Sequence, residues 1–243
     1  MDLKDKNALI TGGGSGIGLG IAAALANEGC RVAITGRNEQ RLRDAAESVS
    51  CHPPLLTHSC DVADRDDVAR LFRWLEEEIG MPDILVNSAG INVANRAMAV
   101  LDPADWDRML AVNATGTFNC IHAALPEMRR RRSGLIVNIS SIAGKRAMKL
   151  GGVGYCASKF AATALGTTVG LEEQDAGIRV TNIYPGEVDT PILEKRPTPV
   201  PPEKRARMLK PDDIAACVVT IARLPDRARV PELVITPLYQ AYA

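Results

Sequence analysis

Short apolar runs alternate with longer amphipathic segments along the whole of this chain. The runs are almost continuously Val, Ile and Leu, which is typical of strands buried on both faces of a parallel sheet. Seven strands are predicted, at Ala8–Thr11, Arg31–Thr35, Leu55–Ser59, Ile84–Asn87, Leu135–Ser140, Arg179–Ile183 and Leu233–Thr236. Six helices are predicted between them, at Gly16–Asn27, Glu39–Val49, Asp64–Ile79, Pro103–Arg130, Gly154–Gln174 and Asp212–Leu224. This alternation predicts an α/β fold with a doubly wound parallel sheet and helices on both faces.

The segment 187–210 departs from that rhythm, because it is rich in Pro, Lys, Arg and Glu and lies between two well-marked elements. Long loops in compact domains are usually functional, and ligands of such sheets bind beyond the carboxyl ends of the strands. We therefore expect 187–210 to be a substrate lid, with a plain surface loop as the alternative. No repeat, linker or composition break divides the chain, so residues 1–243 are predicted to form a single domain.

Composition narrows the classes of partner. The 29 Lys and Arg residues balance the 29 Asp and Glu residues of this 243-residue chain, which predicts no nucleic-acid or anionic-membrane partner. The six Cys residues contain no CxxC pair, and neither a signal-peptide core nor an apolar span is found, so we expect a cytoplasmic protein with reduced thiols. Three His residues leave little room for a metal site, so proton chemistry must use another residue type.

Two clusters have both a functional and a structural interpretation. Cys51, His52, His58 and Cys60 carry metal-binding side chains, but their spacing matches no zinc pattern, so a turn and a strand are predicted there and no metal. The run Arg129–Arg132 is better explained as cations that complement the C-terminal dipole of a helix than as a nucleic-acid surface.

A glycine-rich turn, Thr11–Gly18, joins the first strand to the first helix. Glycines allow the backbone N–H groups to approach a phosphate, and the helix N-terminus favours a negative charge. No Lys-Ser/Thr pair follows the glycines, so the turn is not a P-loop. Dinucleotide binding is favoured, and a plain tight turn or the glycine turn of a methyltransferase are the alternatives.

The end of the second strand indicates which dinucleotide is bound. In this fold an acidic residue at that point binds the adenosine ribose hydroxyls, whereas an Arg accommodates a 2′-phosphate. The strand ends at Gly36, and Arg37 follows at once, so a guanidinium and no carboxylate is present. NADP(H) is therefore favoured over NAD(H), with a surface cation at the start of a helix as the alternative for Arg37.

Tyr155 and Lys159 are four residues apart in a predicted helix, which puts both side chains on one face. A free Tyr has a pKa of about 10, which is too high for acid–base chemistry at neutral pH. A nearby Lys cation favours the phenolate, so we expect Lys159 to lower the pKa of Tyr155 toward the working range.

Seven motifs follow one another in an order that a known enzyme family shares. They are TGGGSGIG at Thr11–Gly18, CDV at Cys60–Val62, NSAG at Asn87–Gly90, VNATG at Val112–Gly116, VNISS at Val137–Ser141, YCASK at Tyr155–Lys159 and YPGEVDTP at Tyr184–Pro191. In these motifs the chain resembles the short-chain dehydrogenase/reductase family, whose fold is of the Rossmann type. The resemblance implies reversible hydride transfer between a nicotinamide cofactor and a carbonyl or secondary alcohol of a small-molecule substrate. It also implies a homodimer or homotetramer.

The resemblance further implies roles for individual residues. Tyr155 would be the general acid and base, Lys159 would hold the nicotinamide ribose, and Ser141 would hydrogen-bond the substrate oxygen. Asn113 would hold a water that links Lys159 to solvent. The residues expected to bind the cofactor are Gly12, Gly14, Ser15, Gly16, Ile17, Gly18, Arg37, Asp61, Val62, Asn87, Ala89, Gly90, Tyr155, Lys159, Pro185, Gly186, Val188 and Thr190.

Several points stay open at this stage. Ser140 precedes Ser141, and Ser141 lies 14 residues before Tyr155, one more than the family spacing, which an insertion in the loop 144–154 would explain. The alternatives to an NADP(H)-dependent oxidoreductase are a silent NADP(H)-binding sensor or scaffold, a methyltransferase, and an epimerase or dehydratase. The basic lid suits an acidic substrate, or a solvated surface around an apolar one; the rest of the pocket is expected from 91–101 and 145–154.

Overall fold

Seven parallel strands form one sheet in the computed structural model, which describes residues 2–241. The strands are β1 Asn7–Thr11, β2 Arg31–Gly36, β3 Leu56–Ser59, β4 Ile84–Asn87, β5 Gly134–Ile139, β6 Ile178–Pro185 and β7 Glu232–Ile235. Their order in the sheet is β3-β2-β1-β4-β5-β6-β7, and every neighbouring pair is parallel. The chain winds outward in both directions from β1 and β4, which makes the gap beyond their carboxyl ends a topological switch point. The predicted doubly wound sheet is confirmed.

Helices cover both faces of the sheet. They are α1 Gly16–Asn27, α2 Glu39–Ser48, α3 Arg65–Glu78, α4 Pro103–Leu110, α5 Gly116–Arg131, α6 Val153–Glu172, α7 Pro202–Arg205 and α8 Pro211–Arg223. Successive side chains of a strand point to opposite faces. Ala8 and Ile10 of β1 accordingly pack with α1, α2 and α8, whereas Leu9 packs with α3 and α5. The two layers bury the central strands β1, β4, β5 and β6 completely, which explains why these strands are continuous apolar runs in the sequence.

The predicted helix Pro103–Arg130 is wrong as a single element. A π-helical turn at Ala111–Thr115 separates α4 from α5, and α5 runs on to Arg131. The turn contains Asn113, whose side chain is buried and bonded to another part of the chain. The spacing of apolar residues in the sequence does not reveal such a turn, because the turn is associated with a contact to a distant part of the chain. The other predicted ends lie within two residues of the observed ones.

The structure shows the contacts of the two clusters that had both a functional and a structural interpretation. His58 in β3 stacks on Trp74 with ring centroids 4.7 Å apart, and no group of three or more His, Cys, Asp or Glu residues in 2–241 is placed to hold a metal. The Arg run ends α5, and three of its cations form ion pairs within the protein: Arg130 pairs with Glu127 on the same helix, Arg129 with Glu173 and Arg131 with Asp83. Within the described chain, no helix has both the length and the apolar character needed to cross a membrane.

Candidate active site

The glycine-rich turn after β1 packs tightly against the loop after β4. Gly12 has φ +66°, and a Cβ there would lie 2.8 Å from the backbone of Ala89. A Cβ at Gly18 would lie 2.5 Å from the carbonyl oxygen of Gly12. Only glycine fits at either position, so backbone lines the cleft where α1 begins. This bare backbone at a helix N-terminus fits the phosphates of a dinucleotide.

Hydrogen bonds hold the strand ends around the switch point in register. The hydroxyl of Thr11 accepts from the backbone N–H groups of Ser88 and Ala89, both at 3.1 Å. Behind it, the side chains of Asn87, Asn138 and Asn182 bond in series across β4, β5 and β6, at 2.9 and 3.0 Å. The ladder is buried, so it fixes the floor of the cleft without lining it.

One cleft of about 460 Å³ follows the carboxyl ends of the strands. It brings together nearly all of the residues singled out from the sequence. Those that line it are Gly12, Gly14, Ser15, Gly16, Ile17, Gly18, Arg37, Asp61, Val62, Ala89, Gly90, Ser141, Tyr155, Lys159, Pro185, Gly186, Val188 and Thr190. Asn87 and Asn113 do not line it: Asn87 belongs to the ladder beneath, and Asn113 lies behind Gly90.

Tyr155 and Lys159 lie one turn apart on α6, and the ammonium nitrogen of Lys159 is 5.8 Å from the centre of the Tyr155 ring. This nitrogen donates to the carbonyl oxygen of Ile139 at 2.8 Å. Burial lowers the pKa of Lys159 to about 8, because the charged form is separated from water. The lysine is therefore a cation at neutral pH that loses its proton far more readily than an exposed lysine does.

The pKa of Tyr155 is raised above its ordinary value, mainly by burial. A hydrogen bond with the Ser141 side chain and the positive charge of Arg96 act in the opposite direction, but burial prevails. The expectation that Lys159 would bring the phenol into the working range is wrong for this structure. The reason is that Lys159 directs its ammonium group to Ile139 and is itself desolvated. Tyr155 is thus held as a neutral phenol, which is a proton donor.

The two neighbouring serines face different ways. Ser140 is buried, and its hydroxyl donates to the carbonyl oxygen of Lys159 at 3.3 Å and bonds to Thr163 at 3.0 Å. Ser141 lines the cleft and hydrogen-bonds Tyr155. The segment between Ser141 and α6 begins with a 3₁₀ turn, Ile142–Gly144, in which the Ser141 side chain accepts from the N–H of Ala143 at 3.1 Å.

Asn113 joins the π-helical turn to the wall of the cleft. Its side-chain oxygen accepts from the N–H of Ile91 at 2.8 Å, and its nitrogen donates to the Ile91 carbonyl at 3.0 Å and to Ser158 at 2.9 Å. A Cβ at Gly90 would lie 3.4 Å from the Lys159 nitrogen and 3.5 Å from the Asn113 oxygen. The side chains of Asn113 and Lys159 therefore both lie next to the backbone of Gly90.

Two arginines stand at the end of the cleft next to β2. Arg37 is exposed, and within residues 2–241 it has no ion-pair partner. Arg41 lines the same end, and its Cγ lies 3.7 Å from the Cβ position of Gly14. Arg41 is not among the residues predicted from the sequence, although it lies four residues after Arg37, in the first turn of the predicted helix Glu39–Val49.

The first part of the segment 187–210 lines the opposite end of the cleft, and two acidic residues bond to basic residues of the segment. Glu187 bonds to Arg196 at 2.8 Å, to Lys204 at 3.1 Å and to the Tyr239 hydroxyl at 2.6 Å. These partners hold the pKa of Glu187 below its ordinary value, against the effect of burial. Asp189 pairs in the same way with Arg205 and Lys210, at 2.6 and 2.8 Å. Much of the basic charge of 187–210 is thus neutralised inside the segment.

Other pocket residues were not found from the sequence. Arg96, Met148 and Leu150 come from the two loops that were expected to complete the pocket, and Gln240 comes from the C-terminal stretch. The Gln240 side chain accepts from the N–H of Glu187 at 2.9 Å. Irregular loops have no regular spacing of apolar and polar residues from which a pocket residue could be predicted. These four residues reach the pocket through contacts that are visible only in the folded chain.

The comparisons with known proteins agree with this geometry. The sequence model of the short chain dehydrogenase family matches residues 6–200. A protein of Staphylococcus saprophyticus, described as an oxidoreductase, is 38% identical over 98% of this chain and 100% of its own length. An alcohol dehydrogenase of Thermococcus sibiricus, solved with 5-hydroxy-NADP, is 31% identical with a TM-score of 0.85, covering 98% of this chain and 99% of that one. A 3-ketoacyl-(acyl-carrier-protein) reductase of Brucella melitensis, solved with NADH, is 27% identical with a TM-score of 0.87, covering 97% and 98%.

Proposed function

The chain belongs to the short-chain dehydrogenase family, and we propose that it is an NADP(H)-dependent oxidoreductase that reversibly interconverts a carbonyl group and a secondary alcohol. One observation carries the proposal. The side chains of Ser141, Tyr155 and Lys159 line one end of a cleft whose other end combines the bare glycine turn with Arg37. The names of the two solved neighbours support the class, since both enzymes act on hydroxyl or carbonyl groups.

The residues of the cleft fit a dinucleotide. The turn around Gly12 and Gly18, where a Cβ would collide with backbone, would hold the phosphates, and Asp61 and Val62 would contact the adenine. Residues 185–190, together with Lys159, would hold the nicotinamide and its ribose. When bound, the nicotinamide supplies a hydride to the carbonyl carbon or accepts one from the alcohol carbon.

The proton is handled by the chain itself. In carbonyl reduction, Tyr155 donates its phenolic proton to the developing alkoxide, and Ser141 donates a hydrogen bond to the same oxygen. Lys159, whose pKa is about 8, replaces the proton on Tyr155. Asn113 would position a water behind Lys159 that connects this path to solvent. In alcohol oxidation the same groups pass the proton the other way.

The cofactor preference rests on Arg37 and Arg41. Both line the end of the cleft next to β2, and the strand itself ends without a carboxylate. Guanidinium groups bind phosphate through paired N–H donors, so the 2′-phosphate of NADP(H) would be held here. The names of the solved neighbours include both NADP-type and NADH complexes, so the preference is argued from this chain alone.

We further propose a homodimer or homotetramer that packs the long central helices. Phe118 of α5 and Phe160 and Leu171 of α6 expose 41%, 42% and 58% of their surfaces, and packing α5 and α6 against a second copy would cover such apolar side chains. Light scattering on the eluting peak of a gel-filtration column tests this, and a monomer would contradict it.

The experiment that tests the catalytic proposal follows NADPH oxidation over a panel of ketones, aldehydes and quinones. The expected result is turnover of at least one carbonyl compound with NADPH preferred over NADH. Tight NADPH binding without turnover of any compound in either direction would favour the sensor or scaffold instead.

A further inference from the structure

Arg96 is a buried cation at the substrate end of the cleft. Its side chain and backbone together are 7% exposed, and it lines the pocket beside Tyr155, Met148 and Leu150. Its positive charge acts on Tyr155. A guanidinium at this depth is unusual, because arginine is almost never fully buried unless it is paired.

The protein satisfies part of the hydrogen-bonding capacity of Arg96, through three backbone carbonyls. Its Nε donates to Val93 at 2.8 Å, one terminal nitrogen donates to Leu150 at 3.1 Å, and the other donates to Lys195. A guanidinium has five N–H donors. One N–H on each terminal nitrogen therefore has no acceptor within residues 2–241, which leaves two donors of a cationic group for the oxygens of a carboxylate.

The charge of Arg96 is also uncompensated. Two arginines are buried in the described part of the chain, and the other, Arg179, has Asp226 at 3.7 Å. No carboxylate in residues 2–241 forms an ion pair with Arg96. Its charged neighbour is Arg196, of the same sign, whose own partner is Glu187. A buried charge that is left unpaired is costly, so the fold holds a positive charge ready for an anion from outside.

The surroundings would strengthen such an interaction. Gly152 has φ +79°, and a Cβ there would lie 2.6 Å from the Arg96 carbonyl oxygen, so the two loops are in direct backbone contact. Asn92 adds a hydrogen bond to the Gly151 carbonyl at 3.1 Å. Arg96 is thus fixed in place before any ligand arrives, and apolar neighbours such as Leu150 limit the screening of its charge.

We infer that the carbonyl substrate carries a carboxylate and that Arg96 binds this group, so that the protein acts on oxo acids and hydroxy acids. The inference rests on the proposed function and adds the class of substrate. The carboxylate does not react: it accepts hydrogen bonds from the two free N–H groups and orients the carbonyl toward Tyr155 and Ser141. Arg96 is a specificity-determining residue in this scheme.

The test compares oxo acids with their methyl esters, which keep the carbon skeleton and remove the charge. Pyruvate, 3-oxobutanoate, 4-oxopentanoate and the best compound of the wider panel are each assayed as acid and ester with NADPH. For the unmodified protein we expect kcat/KM to be about 10- to 100-fold higher for the acid, the range that a hydrogen bond to a charged group gives. Arg96→Gln is expected to bring that ratio close to one, mainly through KM.

Two further variants separate recognition from structure. Arg96→Lys keeps the positive charge but loses the planar guanidinium that donates two hydrogen bonds to one carboxylate. An acid-to-ester ratio of kcat/KM between those of the unmodified protein and Arg96→Gln is therefore expected. Arg73→Gln removes an exposed arginine of α3, outside the cleft, and should leave the ratio unchanged. NADPH titration and the midpoint of thermal unfolding report whether each variant is folded.

The outcomes distinguish this inference from the proposed function. If Arg96→Gln slows acid and ester equally, Arg96 is only a clamp between loops and the inference fails. If the unmodified protein has the same kcat/KM for the methyl esters as for the oxo acids, the inference fails while the proposed function stands. If it reduces no carbonyl compound of either charge, the proposed function itself fails.

Discussion

Lys159 shows how burial sets the chemistry of a single residue. Its ammonium group has a backbone carbonyl as its acceptor and lies near the aromatic ring of Tyr155. Burial separates this ammonium group from bulk solvent and lowers its pKa to about 8. Lys159 is therefore protonated at neutral pH and is able to replace the proton that Tyr155 gives to a substrate.

The first prediction concerns pH. We expect kcat/KM for carbonyl reduction to fall as the pH rises through about 8, because Lys159 then loses the proton that it passes on. The depressed pKa puts this fall well below the ordinary lysine value of about 10.4. Initial rates between about pH 6 and pH 10.5, at saturating NADPH, measure it. A profile that stays flat to the upper end of this range would exclude Lys159 as the proton source.

The second prediction concerns the choice of cofactor. Arg37→Ala is expected to weaken NADPH binding by about 10- to 100-fold, because a charge-assisted bond to the 2′-phosphate is lost, and to leave NADH binding almost unchanged. Dissociation constants from fluorescence titration with both cofactors measure this. Arg43→Ala is the matched control, since Arg43 pairs with Glu39 on α2 and does not line the cleft. Equal losses for the two cofactors would show that Arg37 does not contact the phosphate.

At the scale of an element, the π-helical turn between α4 and α5 joins three parts of the chain. The side chain of its Asn113 makes three hydrogen bonds to other segments, two to Ile91 and one to Ser158. The turn thereby connects the loop after β4 to α6 just behind Lys159. π-helical turns inside α-helices occur frequently at functional sites.

The third prediction tests that connection. Asn113→Ala leaves the backbone N–H and carbonyl of Ile91 without their Asn113 partners, while Ser158 keeps its bond to the Tyr155 carbonyl, and we expect the variant to lower the free energy of unfolding by roughly 1 to 3 kcal/mol. Urea unfolding followed by circular dichroism measures this. Asn95→Ala, at an exposed position of the same loop region, should change it by less than about 0.5 kcal/mol. A small effect at Asn113 would mean that its bonds do not hold the two segments together.

The fourth prediction concerns the segment 187–210. Glu187→Ala removes the shared partner of Arg196, Lys204 and Tyr239, so the segment should open more often. We expect trypsin to cut within 187–210 about tenfold faster, the ratio that about 1.4 kcal/mol of local opening gives. Glu203→Ala changes an exposed acidic residue of the same segment and is the control. Indistinguishable cleavage of the two variants would show that Glu187 does not anchor the segment.

At the scale of the whole molecule, the site is a consequence of the strand order. The switch point lies between β1 and β4, and the carboxyl ends of β5 and β6 bring Ser141 and residues 185–190 to the same edge. The buried asparagine ladder locks β4, β5 and β6 at matching heights. Residues from distant parts of the sequence thus share one cleft because the sheet is parallel.

The features that could be predicted from the sequence are those that depend on neighbouring residues. The strands, most helix ends and the glycine turn depend on period and local chemistry, so the sequence indicated them. The π-helical turn and the direction of the Tyr155 pKa depend on burial by distant segments. Arg96 is a still clearer case, because one of its acceptors, Lys195, is 99 residues away and no local pattern relates the two.

The most direct test of the proposed chemistry replaces the proton donor alone. Tyr155→Phe keeps the ring and removes the hydroxyl that bonds to Ser141. Steady-state NADPH oxidation with the best carbonyl substrate is compared with NADPH binding by the same variant. We expect kcat to fall by about 100-fold or more while the NADPH dissociation constant stays within about threefold. Full turnover by Tyr155→Phe would contradict the assignment of Tyr155 as the acid and, with it, the proposed mechanism.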